Sequence, residues 1–154
     1  MKVVAYNIQE YEKELLAKAN AKVHDLTLIS NPLSFSTLHY ARGKDAVIIS
    51  DRDNLDTQLL DELNNIGIKH IVTRSISTTH IDLMHAGLLE LHVANTPFND
   101  QSLKGIADQV VVNLNQWSNN GCAGSACQCT MKCAKREKFL EDERNRFKRD
   151  NYKI

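Results

Sequence analysis

IKHIVTRSISTTHID, residues 68–82, reads as a buried strand that runs into a hydroxyl-rich loop and then into the acidic start of a helix. Ile68, Ile71 and Val72 supply the strand pattern, Ser75, Ser77, Thr78 and Thr79 the loop, and Asp82 the helix start. Open α/β sheets bind ligands where strands end in such loops, because main-chain N–H groups and small side chains there can meet an anion. The strand-then-helix order repeats on both sides of this stretch, and the fold follows from that repetition.

Upstream, residues 2–6 form a short β-rich run, and residues 8–22 carry Tyr11, Leu15, Leu16 and Ala19 near helical spacing. HDLTLIS (24–30) is strand-like and is broken by Asn31-Pro32, since proline cannot donate to a ladder. Residues 36–42 have room for one short helix before Gly43. DAVIIS (45–50) is a continuous apolar run, the pattern of a parallel strand covered on both faces. Asp56 is placed to cap a helix with Leu59, Leu60 and Leu63 on one side and Gly67 at its end.

Downstream, LMHAGLL makes a short helix, residues 91–94 a last strand, and residues 101–117 a helix with a wide apolar stripe. This alternation predicts an α/β domain, a flavodoxin-like parallel sheet of about five strands with helices on both faces. The expected organisation is a substrate-type domain over 1–100, an interdomain-type helix over 101–117, and a four-cysteine segment with a charged helix over 118–154.

With 154 residues and 42% hydrophobic content, the chain has material for one core and a tail. Its formal net charge is zero, which gives no general attraction to nucleic acid or to an anionic membrane. The last 24 residues hold nine Lys/Arg against five Asp/Glu, so the tail is basic and the remainder acidic. Arg144, Arg146, Lys148 and Arg149 alternate with acidic residues, as on a solvated helix; Phe139, Leu140 and Phe147 are its few apolar contacts. No apolar run is long enough to span a bilayer and the N-terminus has no apolar signal core, so a cytoplasmic protein is expected.

Cys122, Cys127, Cys129 and Cys133 fall within twelve residues in the pattern C-x4-C-x-C-x3-C. Small residues (Gly121, Gly124, Ser125, Ala126) let the backbone wrap closely, and Lys132, Lys135 and Arg136 offset thiolate charge. Four thiols suit Zn²⁺, Cu(I) or an iron–sulfur cluster, and the spacing does not choose among them. Metal or cluster binding is the first expectation, with disulfide or other redox use second. His70, His80, His85 and His92 read as hydrogen-bonded residues and not as catalysts or ligands, and Asp51, Arg52 and Asp53 as a solvated turn.

The segments MKVVAYNI, KDAVIIS, LLDELNNIGIKHIVTRSISTTHIDL, HVANTP and GIADQVVVNL, in this order, resemble the N-terminal substrate-binding half of the D-isomer-specific 2-hydroxyacid dehydrogenases, nearest their lactate dehydrogenase branch. The resemblance spans roughly residues 1–117. It implies a substrate carboxylate held by Ser75, Ile76, Ser77 and Thr78, in a loop where the family usually carries glycine at the place of Ser77 and Asp or Asn near Thr79. Phe98 lies near the family's aromatic residue at the domain cleft.

The family's nucleotide fingerprint and its catalytic arginine, glutamate and histidine belong to a second half, and no G-x-G-x-x-G occurs here. The expectation is therefore a catalytic-domain homologue that is not a stand-alone dehydrogenase, binds no NAD by itself, and has no catalytic residue of its own. Its four cysteines would be a metal or iron–sulfur/redox module. The alternatives are a dehydrogenase half completed by an NAD-binding partner, and a carboxylate-binding module without redox chemistry. Helix 101–117 would meet a second copy, another protein or the C-terminal helix.

Overall fold

The computed structural model describes residues 1–130. Five strands, β1 (Lys2–Ala5), β2 (Asp25–Leu28), β3 (Ala46–Ile49), β4 (His70–Thr73) and β5 (His92–Ala94), form one sheet in the order β2-β1-β3-β4-β5. Every neighbouring pair is parallel. The helices are α1 (Glu10–Asn20), α2 (Thr57–Asn65), α3 (Leu83–Leu88) and α4 (Leu103–Ser118), with 3-10 turns at Phe35–Ala41 and Gly124–Ala126. This is the flavodoxin-like arrangement, in which each crossover returns the chain to the same edge of the sheet.

The strands alternate strictly between two cores, as a two-residue period requires. Val4, Tyr6, Val47, Ile49, Ile71 and Val93 face Leu59, Leu60 and Leu63 of α2 and Ala86 of α3. Val3, Ala5, Ala46, Ile48, Val72 and Ala94 face Leu16 of α1 and Ala107, Val110, Val111, Leu114 and Trp117 of α4. All four residues of β3 are buried, consistent with its central place.

The caps follow the local sequence. Asp56 accepts from the Leu59 N–H, Asp82 from the His85 N–H, and Ser102 from the Gly105 N–H, each satisfying a donor that the helix start leaves open. Gly67, just past α2, sits at φ 99°, a conformation a side chain would strain. Helix α4 is an integral part of the second core; Leu103 and Val112 are its exposed apolar residues.

The chain after α4 returns to the sheet edge. Cys127 bridges Ala94 in antiparallel sense, the Asn95 N–H donates to Ala126 O, and the Gln128 N–H donates to Val93 O. Ala126 is fully buried in the core. The segment 126–129 is thus laid along β5. Cys133 and the charged helix expected over 134–151 lie outside the described residues, as do the basic tail residues.

Candidate functional site

Two groups of polar side chains collect at opposite edges of the sheet. At the carboxyl edge, β4 ends in Arg74 and the loop 75–79. Arg74 is nearly buried: its Nε donates to Glu12 Oε2 at 2.9 Å, and its Nη1 and Nη2 donate to the main-chain oxygens of Tyr6 and Asn7 at 3.1 Å each. Burial draws its pKa down and the Glu12 carboxylate draws it back, so the guanidinium is a charged clamp between the start of α1 and the end of β1. The sequence carried no signal for it, because its partner lies 62 residues away.

Asp53 corrects the expectation of a solvated turn. It is 1% exposed, and its two oxygens accept from the Leu33 N–H, the Ser50 N–H, the Ser50 hydroxyl and the Asn7 amide. Asp51 and Arg52 are exposed, as expected of a turn. Asp53 therefore ties the ends of β1 and β3 together, and Asn7, at φ 58°, takes the left-handed conformation that asparagine tolerates.

In the loop itself the hydroxyls bond to one another. Thr73 Oγ1 meets Ser75 Oγ at 2.7 Å and His80 Nε2 at 2.9 Å, Ser75 Oγ donates to Ser77 O at 2.8 Å, and Ser77 Oγ meets Thr79 Oγ1 at 3.0 Å. The Asn95 amide donates to Ile76 O, and the Thr96 N–H to Ser75 O. Burial lowers the pKa of His80 against the pull of Asp51 and Asp53. By contrast, the main-chain N–H groups of Ser75, Ile76, Ser77 and Thr78 donate to nothing among the described residues. Ser77 is outside the left-handed region, so serine fits this loop without backbone strain.

A shallow cleft of about 180 Å³ lies beside this loop, lined by Tyr11, Glu12, Arg52, Arg74, Leu103 and Ile106 among others. None of residues 75–78 lines it. The four connections leading from a strand to a helix at this edge contain no glycine, so no Cβ-free turn is available for close approach of a pyrophosphate. Phe98 is half exposed in the connection before α4.

At the amino edge, His70 and His92 open β4 and β5 and are register partners. Their rings stack with centroids 5.0 Å apart, and Trp117 at the end of α4 lies 4.8 Å from His70. Burial, with the neighbouring His92, pushes the His70 pKa down to about 4, although the Asp45 main chain and carboxylate pull the other way. His70 Nδ1 is buried without a hydrogen-bond partner among the described residues. Cys129 Sγ lies 3.8 Å from His92 Nδ1 and accepts from the Val93 N–H at 3.4 Å.

His70, His92, Trp117, Cys122, Cys127 and Cys129 all line one cavity of about 350 Å³. Three of the four expected thiols are thereby brought to one place, and the fourth, Cys133, is outside the described residues. Among the described residues no three His, Cys, Asp or Glu side chains form a group set to hold an ion. The remaining histidine of the central region, His85, bonds Asp61 at 2.6 Å on the surface. No helix among the described residues is long and apolar enough to cross a membrane.

Comparison with known proteins agrees with this geometry. The family model "D-isomer specific 2-hydroxyacid dehydrogenase, catalytic domain" matches residues 2–127, ten residues beyond the extent the sequence motifs suggest and taking in Cys122 and Cys127. An aromatic 2-oxoacid reductase of Clostridium sporogenes is 30% identical over 98 residues, covering 63% of this chain and 30% of that protein. The D-lactate dehydrogenase of Escherichia coli K12 is 31% identical over 101 residues, 65% of this chain and 31% of the enzyme. Among solved structures, the apo D-lactate dehydrogenase of E. coli superimposes with a TM-score of 0.62 at 27% identity, over 77% of this chain and 35% of that one. The Salmonella D-lactate dehydrogenase does so with a TM-score of 0.61 at 31% identity, over 64% and 30%. This chain spans about a third of the length of these relatives. By sheet order, core and family match, the chain belongs to the D-isomer-specific 2-hydroxyacid dehydrogenase family, through its catalytic domain.

Proposed function

We propose that these 154 residues hold a small 2-oxo or 2-hydroxy carboxylate at Ser75, Ile76, Ser77 and Thr78, and do not by themselves transfer hydride. The observation that carries this reading is the run of four main-chain N–H groups that have no acceptor among the described residues, at the carboxyl edge of a parallel sheet. Such a run offers a carboxylate several donors at fixed positions, while the loop's hydroxyls, bonded to one another, hold the backbone in shape. The relatives named as reductases and dehydrogenases of 2-oxo and 2-hydroxy acids support the same substrate class.

The absence of glycine from the strand–helix connections and of a G-x-G-x-x-G run from the sequence argues against a nucleotide site within these residues. Hydride transfer would then need a nucleotide-binding unit supplied from elsewhere, with the exposed apolar residues of α4, Leu103 and Val112 on opposite sides of the helix, as separate points of contact for it or for a second copy. The cysteines Cys122, Cys127, Cys129 and Cys133 form a metal, iron–sulfur or redox module, a reading supported by the shared cavity of the first three.

The deciding experiment titrates the purified chain with pyruvate and with oxamate, following thermal unfolding, and separately mixes it with NADH and pyruvate. The expected result is ligand-dependent stabilisation with no NADH oxidation. Turnover by the chain alone would overturn the second half of the reading, and no stabilisation by either acid the first. An ultraviolet–visible spectrum with metal analysis, on protein purified without oxygen, tests the cysteine module: iron with visible absorbance, or stoichiometric zinc or copper, supports it.

A further inference from the structure

We infer that His70 and His92 join Cys127 and Cys129, so that the amino edge of the sheet carries a mixed imidazole–thiolate site for a single zinc-type ion. The inference rests on the cysteine-module reading and changes its chemistry: ligands come from the family core as well as from the cysteine segment.

The placement follows from strand geometry. His70 and His92 are register partners on adjacent parallel strands, so their side chains leave the sheet on the same face, and their rings are stacked. The segment 126–129 runs antiparallel along β5, held by the Asn95-to-Ala126 and Gln128-to-Val93 bonds. In an extended segment, residues two apart point to the same side. That explains the single residue between Cys127 and Cys129: the spacing is short for a zinc knuckle but right for two thiols on one face of a strand. Both line the cavity that holds the two imidazoles, and Cys122 closes it from the turn after α4.

Two further observations point to an occupant. His70 Nδ1 is buried with no hydrogen-bond partner among the described residues, an arrangement that costs free energy unless something accepts or donates there. His92 Nδ1 is already 3.8 Å from Cys129 Sγ, close to the separation of two ligands sharing one ion at bond lengths of about 2.0–2.3 Å. Imidazole with thiolate is a donor set for Zn²⁺, whereas an iron–sulfur cluster is ordinarily held by thiolates alone. Among the described residues these side chains do not yet stand in ion-holding positions, so the inference requires the ion itself to draw the imidazoles and thiolates together.

The test uses the full chain, reduced and stripped of metal, titrated with Zn²⁺ alone against a competing chelator. The readout is affinity for the wild type and for His92→Gln, His70→Gln and Cys133→Ser, together with imidazole ¹⁵N shifts of the wild type. The expected result is one Zn²⁺ per chain, at least about tenfold weaker binding in the histidine variants, and a Zn²⁺-dependent shift of the His92 ring nitrogens. The ¹⁵N readout needs no variant, so misfolding of a substituted chain cannot imitate a positive. Tight zinc binding that is unchanged by both histidine variants, with unmoved ring nitrogens, would overturn the inference and leave the all-cysteine module standing. No zinc binding by the wild type would likewise overturn the inference, and would confine the cysteine module to its iron–sulfur or redox forms.

Discussion

The two edges of the sheet handle their polar side chains differently. At the carboxyl edge, Arg74, Glu12, Asp53, Asn7 and the hydroxyls of Ser75, Ser77 and Thr79 are hydrogen-bonded to one another or to main chain, and what remains open among the described residues is backbone N–H and the buried Thr96 hydroxyl oxygen. At the amino edge, an imidazole nitrogen is buried without a partner among the described residues, and thiols and rings gather around a cavity. Side chains that are fully satisfied stabilise a shape, while incompletely satisfied ones raise a question about a ligand. The edge with the 75–79 loop therefore uses most of its side chains for scaffolding, and the edge where the cysteine segment returns gathers imidazoles and thiols around a cavity.

The sharpest way to break this contrast is to remove a scaffold residue. Arg74→Ala leaves the partly buried Glu12 without its counter-charge and the Tyr6 and Asn7 carbonyls without their donor, and the expected loss is about 3 kcal/mol in chemical denaturation. A loss below about 1 kcal/mol would mean that Arg74 is available for a ligand after all. Asp53→Ala strands the Leu33 and Ser50 N–H groups and is expected to cost about 2–3 kcal/mol by the same measurement.

The amino edge gives a pH signature instead. Above about pH 6.5 His70 is neutral in both the folded and the unfolded chain, so it contributes nothing to pH dependence there. As pH falls below that value the unfolded chain takes up the proton first, and the folded chain resists until about pH 4. Stability of metal-free protein is therefore lost through the window from about 6.5 down to about 4 and levels below it. His80, whose pKa is also lowered by burial, adds in the same direction. Thermal melts across this range should slope less in His70→Gln; equal slopes would place the titration elsewhere.

The smallest effect expected is that of Ser77→Gly. Because Ser77 already has an ordinary backbone conformation, restoring the family's glycine relieves no strain and should cost up to about 1 kcal/mol through added freedom of the unfolded chain. A gain in stability would show that the loop prefers the family's original shape.

Much of the fold is legible in the order of residues. The continuous apolar runs VVAY and AVII announce buried parallel strands, and Asp56 and Asp82 announce their helices as caps, because apolar runs and capping are local properties. The loop after β4 was legible as a candidate by its position at a strand end, and Ser77, at the place of the family's glycine, takes an ordinary backbone conformation there. Less legible were the partners. Asp53 looks like one more turn residue until Leu33 and Ser50 are seen to close on it, and His70 and His92 look like isolated histidines until their strands pair.

The sequence by itself determined the α/β alternation, the strand order's family and the clustering of thiols, since each depends on residues near one another in the chain. Tertiary structure alone decided that Arg74 meets Glu12, that residues 126–129 lie along β5, and that three thiols share a cavity with two histidines at the edge opposite the 75–79 loop. The reason is that such contacts are set by parallel register and crossover packing, which join residues tens of positions apart and leave no trace in local composition.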